Sequence, residues 1–408
     1  MSMTNAEDHI LVRRALQADP ESFGRLCGRY YPSLGLCHLP SGTIAAVQAG
    51  RDKLRAGSLL SLQPDKPCPR GRLQMALLED TRRRILSLAM FQKILSFYTR
   101  CFALWVVVGG LAAYFWPGPF TLLNKSIMDV LFGLTMFGIG AVLQTEDFRR
   151  IVQRPVIILI GTITQYSLMP LIAWAIANAL HLDPQIAVGL ILTASAPGAM
   201  SSSVVSYIAK ADLAYSVSLT TVSTLIAPLA TPGLTYLLAG SKLDVPFMDM
   251  LTEVVLLVIV PLFLGSGVRH VFREKVERLV PVFPAISVTF IVLICSRVIA
   301  ANKGDLADMT GVLLTTAVVM NVLGMVGGYL IAWVSRMDVR QRRSLAIEGG
   351  MQNAGLGTIL ASNYFGPRAA MPAAAFVFIC IITASLMAAY WQRHLPAPAA
   401  VAENNSSY

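Results

Sequence analysis

A carboxylate, two amides and a run of glycines stand together where the chain is otherwise apolar. The stretch reads Ser344-Leu345-Ala346-Ile347-Glu348-Gly349-Gly350-Met351-Gln352-Asn353-Ala354-Gly355-Leu356-Gly357-Thr358. A carboxylate at mid-bilayer costs roughly 2.5–3.5 kcal/mol on insertion scales, so Glu348 needs a partner or a function. The glycines let backbone carbonyls leave the helical ladder, which membrane interiors tolerate only beside protein or a water-filled cavity. Broken helices of this kind bind ions and substrates in secondary transporters. A second reading stays open at this point: Glu348 could be a helix-end group that pairs with Arg340, Arg342 or Arg343.

A second interruption lies in Ala194-Ser195-Ala196-Pro197-Gly198-Ala199-Met200-Ser201-Ser202-Ser203. Proline removes a backbone donor and clashes with the preceding turn, so the helix is expected to open at Pro197. Ser201, Ser202 and Ser203 can offer hydroxyl oxygens to a small hard cation or to an anionic group; equally, small residues permit close helix packing in lipid. Ser216 and Thr220 are four apart and share one helix face. Gln165 is an amide set among apolar residues and is either a ligand or an interhelical hydrogen-bonding group.

The elements that must hold these residues are membrane spans. Of 408 residues, 55% are hydrophobic and only 14% charged, which excludes an ordinary soluble protein and points to a polytopic helical protein in a lipid bilayer. The net charge of +10 could suggest a nucleic-acid partner, but the basic residues lie in short loops between apolar runs, which is a topology signal, and no nucleic acid is expected. The apolar runs are too long, and alternate too little, for a β-barrel. Cys27, Cys37, Cys68, Cys101, Cys295 and Cys380 show no paired spacing, so neither a zinc site nor a disulfide framework is expected. No paired membrane aspartates, His-rich motif or Ser/His arrangement suggests an intramembrane enzyme.

Ten spans are predicted near 101–117, 124–144, 153–180, 184–209, 213–239, 247–269, 279–301, 307–334, 340–363 and 367–391. With the amino terminus inside, the outer loops hold only Lys125, Lys242, Lys303 and Arg368, while the inner loops are rich in Lys and Arg. The positive-inside rule then puts both termini in the cytoplasm. The Pro-Gly and Gly-Gly interruptions sit at matching places in the two halves, 101–239 and 247–391. Five spans per half implies an inverted repeat.

The remaining segments are an extension over 1–84, an interfacial helix over 85–100 and a tail over 392–408. Residues from Asp8 to Pro32 resemble, over a short stretch, the opening helix of region 2 in extracytoplasmic-function sigma factors, but promoter binding is not implied. The extension is read as dispensable.

The motifs Glu348 to Gly357, Ala196-Pro197-Gly198 with Ser202, Tyr207-Ile208-Ala209-Lys210 and Leu143-Gln144-Thr145-Glu146-Asp147-Phe148 together resemble the bile acid:sodium symporter family over residues 98–392. The resemblance implies a ten-helix fold with a core domain (spans 3–5 and 8–10) and a panel domain (spans 1, 2, 6 and 7). The resemblance also implies that spans four and nine cross where they unwind. It further implies two sodium sites, one from Ser202, Ser203, Ser216, Thr220 and Glu348, the other from Gln165, Glu348, Gln352 and the carbonyls of Gly349 and Met351. Ser203 stands where relatives carry asparagine, and Met200 where many carry threonine. Asn353, Met200, Ser201, Pro197 and Gly198 are expected at the substrate. The implied activity is sodium-coupled import of a small organic anion, with sodium as coupling ion and no other cofactor. The implied location is a bacterial inner membrane, or alternatively a plastid envelope. A proton-coupled exporter of the wider superfamily, carrying arsenite or a metabolite, is the alternative.

Overall fold

The computed structural model describes residues 101–394 apart from 144, 200, 281 and 305, together with residues 90, 94, 95 and 97–99. The chain divides into two units, Met1–Gln92 and Lys93–Tyr408, and the fold described is that of the second. The expected extension 1–84, most of the helix over 85–100 and the tail beyond 394 lie outside the described residues.

The described residues form an all-helical protein with no strands. In chain order the main elements are α1 Phe102–Phe115, α2 Lys125–Val142, α3 Pro155–Ala179, α4 Pro184–Ala194, α5 Ser201–Ile208 and α6 Leu213–Ala239. They continue with α7 Phe247–Val254, α8 Val260–Val271, α9 Phe283–Ala301, α10 Leu306–Val334, α11 Val339–Gly350, α12 Ala354–Tyr364 and α13 Met371–Arg393. Seven helices are long and apolar enough to cross a membrane: α2, α3, α6, the combined Phe247–Val271, α9, Met309–Val334 and Pro367–Arg393. Leu104–Phe115 and Pro184–Ala194 are shorter apolar helices.

Several of these helices begin at a recognisable cap. Asn124, Asp183 and Asp212 each accept a backbone N–H at the start of α2, α4 and α6, satisfying donors that a helix N-terminus leaves free. Asp338 and Gln341 form a reciprocal capping box at the start of α11. Three features differ from the sequence expectation. Thr145–Gln153 and Arg273–Leu279, expected as charged loops, are short helices; in the first, Arg150 pairs with Asp147 at 3.3 Å one turn back. The span over 247–269 runs on as one helix but carries a π-helical turn, Val255–Ile259, between α7 and α8.

The interior is apolar and close-packed. Phe132 of α2 and Phe290 of α9, both buried, meet with ring centroids 5.4 Å apart. Helices α2 and α8 approach backbone to backbone: a methyl group at Gly140 would strike the Leu262 carbonyl, and one at Gly265 the Phe137 carbonyl. Small residues at such contacts are what helix packing without a hydrophobic driving force requires. Large apolar side chains such as Leu237, Val130 and Trp333 are instead exposed on the outside, as a lipid-facing surface would have them.

Candidate functional site

Both interruptions predicted from sequence are present, and they meet. Helix α4 stops at Ala194 and α5 starts at Ser201; α11 stops at Gly350 and α12 starts at Ala354. Between them the two extended segments pair as a single antiparallel bridge, Gly198 to Gln352. The Ala199 N–H donates to the Met351 carbonyl at 3.0 Å, and the Asn353 N–H donates to the Pro197 carbonyl at 2.8 Å. This exchange satisfies backbone groups that the helix breaks set free, which a membrane interior demands.

Glu348 occupies the last turn of α11 and is only 1% exposed. Its Oε1 accepts from Ser202 Oγ at 2.6 Å, Ser216 Oγ at 2.5 Å and Thr220 Oγ1 at 3.0 Å; Thr220 also lies 3.0 Å from Oε2. The four-residue spacing read from the sequence does put Ser216 and Thr220 on one face of α6. Gly198 makes the approach possible, because a Cβ there would stand 2.6 Å from Glu348 Oε2. The arginine pairing of the alternative reading is not found among the described residues. Arg343 spends its guanidinium on the carbonyls of Ala209, Trp391 and His394, and Arg342 Nε donates to the Met337 carbonyl. Among the described residues no cation pairs with Glu348; its shell is neutral hydroxyls.

The two glutamines meet on the other side of the break. Gln165 Nε2 donates to Gln352 Oε1 at 2.5 Å and more weakly to the Ala196 carbonyl at 3.5 Å. Gln165 Oε1 and Gln352 Nε2 are buried with no hydrogen-bond partner among the described residues. The Met351 carbonyl is engaged by Ala199, leaving one lone pair, and the Gly349 carbonyl is turned toward Gly324 of α10.

Other expected site residues are less closely tied in. Ser201 and Ser203 are half-buried on α5, and among the described residues none hydrogen-bonds either hydroxyl. Asn353 Oδ1 caps α12 by accepting from the Leu356 N–H at 3.2 Å. Pro197 and Gly198 are buried in the bridge itself. Met200 lies outside the described residues.

Sequence reasoning missed three supporting side chains. Ser223 Oγ accepts from the Gly198 N–H at 3.4 Å, Thr231 Oγ1 donates to the Ser195 carbonyl at 2.8 Å, and Asn321 Nδ2 donates to the Gly350 carbonyl at 2.6 Å. Extending the helical spacing from Ser216 and Thr220 along α6 would have found the first.

The oxygen-only set around Glu348 is what a small hard cation takes. Residues 129–309 match the profile of the Sodium Bile acid symporter family. A sodium-dependent transporter of Bacillus subtilis, YocS, is 36% identical over 304 residues, covering 74% of this chain and 94% of its own. A probable sodium/metabolite cotransporter of rice chloroplasts, BASS2, is 33% identical over 309 residues, covering 75% of this chain and 74% of its own. The rat sodium/bile acid cotransporter 4 is 26% identical over 260 residues, covering 62% of this chain and 60% of its own. With these extents, and with both broken helices in place, the chain belongs to the sodium bile acid symporter family.

Proposed function

We propose that this protein is a symporter that couples inward sodium flow to the import of a small organic anion, such as a 2-oxo acid, pantoate or a bile-acid-like carboxylate, by alternating access. One observation carries the reading: Glu348 is buried among three hydroxyls with no basic partner among the described residues. A carboxylate so placed is poorly compensated unless a cation joins it. Sodium supplies that charge, and a membrane carboxylate of this kind marks an ion pathway.

The first sodium would bind at Glu348, Ser202, Ser216 and Thr220, with Ser203 beside them. The second would draw on Gln165, Gln352, Glu348 and the carbonyls of Gly349 and Met351. The unpartnered Gln165 Oε1 supports this, since it is a buried acceptor without a donor among the described residues. The substrate would lie at the crossing, near Asn353, Pro197, Gly198, Ser201 and Met200. Sodium is the coupling ion, and no further cofactor is invoked.

The fold in this reading is ten spans in two inverted five-helix repeats, 101–239 and 247–391, with α4–α5 and α11–α12 as the crossing spans. The core would rock against a panel built from α1, α2, α7–α8 and α9. Both termini would be cytoplasmic in a bacterial inner membrane, as the distribution of Lys and Arg supports.

The test is uptake by the purified full-length protein in proteoliposomes, with a panel of radiolabelled organic acids. An inward sodium gradient is expected to drive accumulation of at least one acid, and a proton gradient alone to drive none. Accumulation or efflux that follows the proton gradient and ignores sodium would replace symport with the exporter reading.

A further inference from the structure

Helix α10 is almost wholly apolar along its middle, and Asn321 is the one carboxamide in it. The side chain is fully buried at 0% exposure. Its Nδ2 donates to the Gly350 carbonyl at 2.6 Å, while its Oδ1 is buried with no partner among the described residues. Gly350 closes α11, so its carbonyl is one of those a helix C-terminus leaves without an intrahelical donor. The next residue, Met351, is already extended, with φ −121° and ψ 109°. Asn321 therefore grips the last helical carbonyl before the break, two residues beyond Glu348.

Register makes this grip firm. Gly324, three residues on from Asn321, lies so near α11 that a methyl group there would strike the Gly349 carbonyl. The backbones of α10 and α11 are thus in close contact beside the asparagine, and the amide has little room to choose another acceptor. If the position served packing alone, an aliphatic residue would fill it without stranding an acceptor oxygen. The same end of α11 carries its dipole's negative charge, which favours a cation.

We propose that Asn321 is a positioning residue for sodium: by holding the Gly350 carbonyl it fixes the last turn of α11, and with it the direction of Glu348 and of the carbonyls at Gly349 and Met351. The inference rests on the sodium symport reading. It adds a residue from outside both interrupted spans to the machinery.

Two variants test it, Asn321→Leu, of similar size without a donor, and Asn321→Ser, which keeps a shorter donor. Sodium half-saturation is read in two ways on the full chain: from uptake at saturating substrate, and from the sodium-induced rise in Tm of the purified protein. Asn321→Leu is expected to raise half-saturation about tenfold, the scale of one lost hydrogen bond, with substrate KM at saturating sodium unchanged. Asn321→Ser is expected between Leu and wild type. A merely structural role would lower yield or sodium-free Tm and leave half-saturation where it was, and that result overturns the proposal. If the leucine variant does not fold, unchanged half-saturation in the serine variant has the same force. A wild-type protein that shows no sodium response at all would instead remove the symport reading, and this inference with it.

Discussion

Two polar clusters interrupt the apolar interior, and they compensate charge in opposite ways. At the crossing, Glu348 meets Ser202, Ser216 and Thr220 and no cation among the described residues. At the other end of α12, about 16 Å away along eleven residues of helix, Glu253 of α7 is fully partnered. Lys125 Nζ is 3.3 Å from its Oε1, and Asn363 Nδ2 donates to the same oxygen at 2.7 Å. Lys125 also stands 5.8 Å from the centroid of the Tyr364 ring, and Arg297 donates to Ser362 Oγ at 3.2 Å. Helices α2, α7 and α9 thus all reach the final residues of α12. In the second cluster the Glu253 charge is met by an opposite charge and a strong donor, while Asp129, which interacts with it electrostatically, keeps a buried Oδ1 without a hydrogen-bond partner among the described residues. The first holds a carboxylate with no counterion among the described residues, and the proposed sodium site rests on that difference.

The largest effect is expected at Glu348. Glu348→Gln keeps the shape and can still bond the three hydroxyls, but it removes the charge that a cation would balance. Sodium-driven uptake is expected to vanish, and the sodium-induced rise in Tm with it. Sodium-free Tm should hold or rise, because a buried uncompensated charge has been removed. Sodium-dependent uptake of wild-type strength in Glu348→Gln would erase the distinction between the clusters.

A smaller change is expected at Ser203, half-buried on α5 one position along from Ser202. Serine offers one oxygen on a short stem, whereas asparagine reaches farther with a carbonyl acceptor. Ser203→Asn is expected to lower sodium half-saturation several-fold, on the order of one hydrogen bond's worth, without altering substrate preference. A changed preference at constant sodium dependence would turn position 203 toward the substrate.

What the sequence made legible follows from the range of the forces involved. Hydropathy runs are local, so the helices were readable to within a few residues, seven of them long and apolar enough to cross a membrane. Pro197-Gly198 and Gly349-Gly350 break helices by their own backbone chemistry, so both interruptions were readable too. The antiparallel bridge between Gly198 and Gln352 was not, because it joins segments about 150 residues apart whose pairing no local pattern encodes. Asn321 was passed over for a related reason: a lone amide in an apolar helix looks like any interhelical hydrogen-bonding group until its acceptor, the Gly350 carbonyl, is seen. Glu348 showed the reverse difficulty. Three nearby arginines suggested an ion pair, and only the geometry revealed that Arg343 is turned to carbonyls at Ala209, Trp391 and His394.

In the compensated cluster the effects are expected on stability rather than on sodium. Glu253→Gln keeps an acceptor for Asn363 but loses the ionic part of that bond and the pair with Lys125. A loss of about 1–2 kcal/mol is expected, since hydrogen bonds to charged groups carry roughly 1.5–3 kcal/mol and part of this one survives. The check is sodium-free Tm in detergent beside sodium half-saturation in proteoliposomes. A several-fold shift in half-saturation at constant Tm would make Glu253 a second ion-sensing carboxylate and blur the comparison.

The smallest effect belongs to Lys125, whose side chain is 55% exposed although its partner Glu253 is only 13% exposed. An exposed lysine spends rotamer entropy to hold its pair, and water and salt screen the attraction, so such pairs carry about 0.2–1 kcal/mol. Its contact with the Tyr364 face adds a similar amount, about 0.5–1 kcal/mol. Lys125→Ala is therefore expected to lower Tm by about 2–4 °C, with part of the loss disappearing in high salt. The coupling between Lys125 and Glu253, taken from the double variant, should be no more than about 1 kcal/mol. A coupling several times larger, insensitive to salt, would mean that this pair is held in a dry interior like Glu348. The contrast between a compensated joint and an uncompensated ion site would then have to be drawn from the missing counterion alone.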